Sequence, residues 1–181
     1  MPLKNIDSAQ LLDSIADWAD ELGFAQTGIS HIDLSAEEEY LQKWLDAGYH
    51  GGMDYLHKHG MLRARPAELV PGTLSVISLR LNYLPEDTAP LERLADGEAA
   101  YISRYALGRD YHKMMRKRLQ KLAGRIAEAI GPFGYRVFVD SAPLLEKALA
   151  RNAGLGWVGK NTLILNRKAG SFFFLGEILV D

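Results

Sequence analysis

The stretch Tyr135–Asn161, YRVFVDSAPLLEKALARNAGLGWVGKN, decides how the chain is read. Tyr135 to Val139 are β-branched or aromatic around a single arginine, which predicts a short buried strand. Asp140 falls where that strand ends. Ser141-Ala142-Pro143 then opens a helix, with Pro143 near N1 and Ser141 or Asp140 placed to cap it. Leu144, Leu145, Ala148 and Leu149 form its apolar stripe, and Asn152-Ala153-Gly154 is a glycine stop. The glycine-rich loop GLGWVGKN follows, and after it an apolar strand, Thr162 to Leu165.

Two phosphate-binding patterns overlap in that loop, and both fail on context. Gly154, Gly156 and Gly159 spell G-x-G-x-x-G. That fingerprint works only when a strand precedes it and a helix follows, so that the helix N-terminus meets a pyrophosphate. Here the order is helix, loop, strand. Gly154 to Lys160 also spells G-x-x-x-x-G-K, but Asn161 stands where a P-loop places the Ser or Thr that holds magnesium. The loop is expected to approach something closely with its backbone, and not a nucleotide phosphate.

At 181 residues the chain suffices for one domain with its own core. Its hydrophobic share of 48% and charged share of 24% are those of an ordinary globular protein. No apolar run is long enough to span a bilayer and the opening MPLKNIDSAQ has no signal-peptide core, so a cytoplasmic location is expected. The absence of cysteine excludes disulfides, thiolate metal sites and iron–sulfur ligation by this chain. Charge is uneven: residues 1–50 hold ten acids against Lys4 and Lys43, whereas residues 104–125 hold eight bases against Asp110. That asymmetry permits a nucleic-acid partner without demanding one.

In chain order, Ser8 caps a helix through Leu22, a strand runs from Phe24 to Ile29, and the capping box Ser35-Ala36-Glu37-Glu38 opens a second helix with Tyr40, Leu41, Trp44 and Leu45 inward. Met53 to His59 is a short helical piece. His50, His57 and His59 do not share the i, i+4 face a metal site needs, so no metal is assigned. Leu74 to Tyr83 is a strand buried on both faces, residues 84–98 a surface loop, and Ala99 to Tyr105 another strand. Gly108 to Ile130 is the longest helix. Met115, Leu119, Leu122, Ile126 and Ile130 face inward and Lys113, Arg116, Lys117 and Lys121 outward, a solvated face or a phosphate-tracking one. Thr162–Asn166 and Phe172–Val180 are expected to pair across Arg167–Ser171. Helices alternate with strands, some joined by hairpin-length loops, which favours an α+β domain with a mixed sheet.

Asp140 is the candidate active-site group. A carboxyl at a strand end, beside several glycines, is placed to meet a ligand. Flanking Phe138, Val139 and Ala142 would desolvate it and let it keep a proton near neutrality. The alternative is a plain helix cap.

Longer motifs go further. YISRYALGRDYHK (Tyr101–Lys113), FVDSAPLLEKALARNAGLGWVGKNTLIL (Phe138–Leu165) and GSFFFLGEIL (Gly170–Leu179), with RARPAELVPGTLSVI (Arg63–Ile77), together resemble the epoxyqueuosine reductases, relatives of the corrinoid reductive dehalogenases. The resemblance covers essentially the whole chain. It implies a nitroreductase-like α/β domain, flanked by helices, that binds base-off cob(II)alamin, followed in the family by a ferredoxin-like module with two 4Fe–4S clusters. The implied reaction is the last step of queuosine synthesis, in which epoxyqueuosine in a tRNA anticodon loses its epoxide oxygen as water. By position, Asp140 matches the proton donor, and it faces the cofactor. Arg63 and Ser103 match corrinoid contacts, and Lys160, Asn161, Ile164, Ser171 and Leu175 line the corrinoid pocket. Tyr105, Tyr111, His112 and Lys147 lie near the substrate. The implied partners are tRNA and an external electron donor, with no membrane, and a monomer is expected. The cysteine-rich module is missing, so residues 1–181 read as the cobalamin domain alone. Two alternatives stand beside an active enzyme: a corrinoid- or tRNA-binding module with no activity of its own, and a flavin-binding nitroreductase relative.

Overall fold

The computed structural model describes residues 7–84 and 89–181. Four strands among them form a sheet: β1 (Gln26–His31), β2 (Ser75–Asn82), β3 (Tyr135–Phe138) and β6 (Phe173–Val180), in the order β1-β2-β6-β3. Every ladder is antiparallel. The last strand is thus inserted between β2 and β3, and Glu177 stands level with Ser78 on one side and Phe138 on the other. A separate two-stranded hairpin pairs β4 (Trp157–Val158) with β5 (Ile164–Leu165).

Helices cover both faces, which is why LSVISLRLNY lacks a clean alternation. On one face Ile77, Leu79, Leu81 and Ile178 pack against Ile15 and Ala19 of α1 (Ser8–Glu21) and against Met115, Leu119 and Leu122 of α6 (Tyr111–Ile130). On the other, Val76, Phe138 and Leu179 pack against Ala148 and Leu149 of α7 (Glu146–Asn152) and against Leu34, Ala64 and Leu144. The face under α7 also carries the buried polar residues of the sheet, namely Ser30, Ser78, Arg80 and Glu177. The remaining helices, α2 (Ser35–Asp46), α3 (Asp54–His59), α4 (Pro66–Leu69) and α5 (Pro90–Ala95), lie in the connections.

Several local expectations are corrected. Asp7, not Ser8, caps α1, accepting from the Ala9 N–H. No capping box forms at α2, because Asp33 takes the Ser35 N–H from outside the helix, and Tyr40 is exposed. The loop at 84–98 contains α5, while Pro85 lies outside the described residues. Ala99–Tyr105 forms no strand: it finds no ladder, leaves Tyr101, Ile102 and Tyr105 exposed, and ends in a short 3-10 turn, Arg104–Ala106. β propensity without a neighbouring strand does not make one. β5 and β6 do not pair with each other; β5 folds back on β4, which frees β6 for the central sheet.

The glycines of GLGWVGKN serve close approach within the chain. A Cβ on Gly156 would overlap the Leu165 carbonyl oxygen of the facing strand, and one on Gly28 would overlap the Ala153 carbonyl where α7 ends against β1. The loop therefore meets its own hairpin with its backbone.

Candidate active site

The Asp140 loop is irregular where a helix was expected. Asp140 has φ 58°, a left-handed conformation that Asp tolerates better than most residues. Two tight turns follow, Ser141 N–H to Val139 C=O at 2.7 Å and Leu144 N–H to Ala142 C=O at 2.8 Å. Leu145 N–H then reaches across to the Arg63 carbonyl at 3.0 Å. These bonds spend the amides that a helix would use, so α7 begins at Glu146 and Pro143 lies outside it. Asp140 does not cap that helix either. Its backbone N–H donates to Glu146 Oε1 at 2.7 Å, and its side chain turns the other way.

The Asp140 carboxyl meets two side chains from the start of α6. Tyr111 donates its hydroxyl to Oδ2 at 2.9 Å, and His112 Nε2 lies 3.2 Å from the same oxygen. The Tyr111 ring is held in a stack, 3.8 Å from Phe174 on one side and 4.0 Å from His112 on the other. Burial, reinforced by the nearby Asp140, pushes the Tyr111 hydroxyl above its ordinary pKa and keeps it a donor. The other imidazole nitrogen, Nδ1, lies 3.0 Å from Asp110 Oδ1. Asp110 also caps α6 through the His112 backbone N–H, and its hydrogen bonds to His112 hold its carboxyl below the usual range.

The desolvation expected at Asp140 is absent: its side chain is 64% exposed. The buried acids lie behind it. Burial pushes Glu146 up to about 7. Glu177, on β6, is fully buried and is raised by burial and by the neighbouring Glu146 carboxyl. Neither had been singled out in the sequence. The available signal was one acid inside FFFLGEILV, a run otherwise apolar enough to be buried.

Asp140, Arg63, Lys147, Glu146 and Val158 line one open cavity of about 390 Å³. Arg63 gives Nη2 to the Tyr55 carbonyl at 3.2 Å, and its buried Nε has no hydrogen-bond partner among the described residues. Lys147 is committed to the Thr162 carbonyl at 2.8 Å, so it braces the hairpin loop. Lys160 and Asn161 sit in that loop, just beyond Val158, with Asn161 Oδ1 accepting from Leu163 N–H. Ile164 is a core residue and Leu175 packs against it. Ser171 lies in the turn before β6, Ser103 just before the 3-10 turn, and Tyr105 within it. A corrin macrocycle exceeds a cavity at the small end of the usual ~300–1,000 Å³ range for ligand sites. The unpartnered Arg63 Nε and the exposed Asp140 fit one edge of such a group.

An antiparallel α+β domain with an acid loop against a Tyr-His pair, opening on an arginine-lined cavity, has clear relatives. Residues 63–141 match the family model described as "Epoxyqueuosine reductase QueG, DUF1730". Across 97% of its length the chain is 67% identical to the epoxyqueuosine reductase of Pseudomonas aeruginosa, covering 48% of that protein. It is 58% identical to that of Escherichia coli, with 97% of this chain and 46% of that protein covered. The fold matches the epoxyqueuosine reductase of Streptococcus thermophilus with a TM-score of 0.80 at 27% identity, over 93% of this chain and 45% of that one. It also matches, with a TM-score of 0.78 at 23% identity and over 96% and 46% of the two chains, an epoxyqueuosine reductase crystallised with an epoxyqueuosine-modified tRNA-Tyr stem loop. The resemblance read from the motifs to epoxyqueuosine reductase is borne out. The chain spans about half the length of the curated relatives it matches.

Proposed function

We propose that this chain is the corrinoid-binding, proton-donating half of an enzyme that reduces epoxyqueuosine to queuosine in tRNA. The observation that carries the reading is the Asp140 carboxyl, held by Tyr111 and His112 at the mouth of the Arg63 cavity, in a chain so similar to named epoxyqueuosine reductases. Bound cobalamin would supply the electrons. Arg63 and Ser103 would hold its polar edge, and Lys160, Asn161, Ser171 and Leu175, with the backbone at Ile164, would complete its pocket. Asp140 would protonate the departing epoxide oxygen, which is otherwise a poor alkoxide leaving group. Tyr111 fixes the carboxyl, and Tyr105 and Lys147 border the same region.

The exposed Lys113, Arg116, Lys117 and Lys121 of α6 lie on the helix whose first turn meets Asp140, which supports a tRNA-facing role. The working enzyme is read as cytoplasmic and monomeric and draws on an external electron donor. With no cysteine, residues 1–181 cannot ligate 4Fe–4S clusters, so by itself the chain acts as a binding module. Activity is tested in a chimaera joining residues 1–181 to the remaining half of the Pseudomonas aeruginosa relative. Reduction of an epoxyqueuosine-bearing anticodon stem loop, dependent on added cobalamin, is the expected result. A folded, cofactor-loaded chimaera with no turnover would contradict the reading.

A further inference from the structure

The Asp140 carboxyl is exposed, and the structure places a candidate proton source directly beside it. The His112 imidazole lies between two carboxyls, with Nδ1 3.0 Å from Asp110 and Nε2 3.2 Å from Asp140. Two ionised carboxylates are both acceptors, so a ring that donates to each must carry both protons. Oδ2 of Asp140 accepts the Tyr111 hydroxyl and lies within hydrogen-bond distance of His112 Nε2 as well. The ring thus bridges the two carboxyls, one hydrogen bond behind the group that delivers the proton.

We propose that His112, oriented by Asp110, loads and reloads Asp140 with protons during epoxide reduction. This rests on the function proposed above. Turning an epoxide into an alkene breaks two C–O bonds and takes up two electrons and two protons, and the oxygen leaves as water. A reduced corrinoid would supply the electrons. One carboxyl delivers one proton and must then be recharged before it can deliver the second. His112 passes its Nε2 proton to Asp140 Oδ2, and the neutral ring takes up another from solvent, to which it is more than a third open. Asp110 stays ionised and fixes the ring by Nδ1. The titratable and charged groups around the pair are Asp110, Tyr111 and Lys113 at the start of α6, Tyr105 before it and Glu146 on α7. His112 is thus a positioning and proton-supplying residue that acts through Asp140.

Two measurements test the assignment. On the chain itself, imidazole ¹⁵N spectra across pH follow the His112 protonation equilibrium. Asp140→Asn and Asp110→Asn should each move it to lower pH, since each removes a carboxylate that favours the charged ring. A titration unmoved by both variants would overturn the proposal, whatever the turnover shows. In the chimaera, His112→Gly should lose about 10-fold or more in turnover at pH 8. It should lose less at pH 5.5, where protons from solvent are more abundant, and added imidazole should restore it. Equal loss at both pH values with no rescue by imidazole would mean a structural role and would also overturn the proposal. An inactive unmutated chimaera would sink the proposed reaction while leaving the spectroscopic coupling intact.

Discussion

Asp140→Asn in the chimaera is expected to lower epoxyqueuosine turnover by about 10²–10⁴-fold, the usual contribution of a positioned general acid. Asn is the informative replacement. It tolerates the left-handed backbone at φ 58° and can still accept the Tyr111 hydroxyl, so the loop keeps its course. It cannot give up a proton. The loss should therefore appear in kcat, with stem-loop KM and corrinoid affinity close to those of the parent. Asp140→Ala would be less clear, because it adds strain at a residue where an unbranched apolar side chain has no local hydrogen bond to offer. Turnover by Asp140→Asn at the parent rate would remove Asp140 from the chemistry.

The second large effect is on stability. Glu146 is held at about 7 in the folded chain against 4.5 when free, chiefly by burial, so the folded state binds its proton more tightly than the unfolded state. The stabilisation is complete below about pH 4.5 and is lost as pH rises toward about 7. Glu177 is displaced in the same direction by the same burial. The full effect of such a shift is on the order of 3 kcal/mol. The carboxylates whose values are lowered, such as Asp110 through His112 and Glu38 through Arg65, act oppositely and at lower pH. Urea unfolding of the chain at pH 5 and pH 8 should show lower stability at pH 8. In Glu146→Gln, which keeps an oxygen for the Asp140 N–H, most of that fall should vanish. Parallel pH profiles in the two proteins would show that Glu146 ionises as freely folded as unfolded.

The apolar stripes of the long helices and the double burial of β2 were legible in the sequence, whereas the caps, the Asp140 turn and the long-range pairing were not. The apolar stripe of α6 lies where the 3.6-residue period puts it, and Met115, Leu119 and Leu122 are fully buried. The two faces of β2 follow from its broken alternation. Nothing local says that Phe173–Val180 inserts between β2 and β3, since that choice is made by residues far apart in the chain. Asp140 was singled out partly for a burial that the structure does not show. Its apolar flanks suggested burial, but the left-handed turn lifts the carboxyl out to Tyr111 and His112. The buried carboxyls were hidden by ordinary settings: Glu146 reads as a dipole partner in a helix's first turn, and Glu177 as one polar residue in a strand.

The most direct test of a corrinoid domain is an anaerobic absorption titration of the chain with cob(II)alamin, alongside Arg63→Ala. Saturable binding with a shift to the base-off spectrum is expected, weakened in Arg63→Ala because the half-buried guanidinium is a proposed contact. A flat titration by the folded chain, and by the chimaera that supplies the other half, would contradict it.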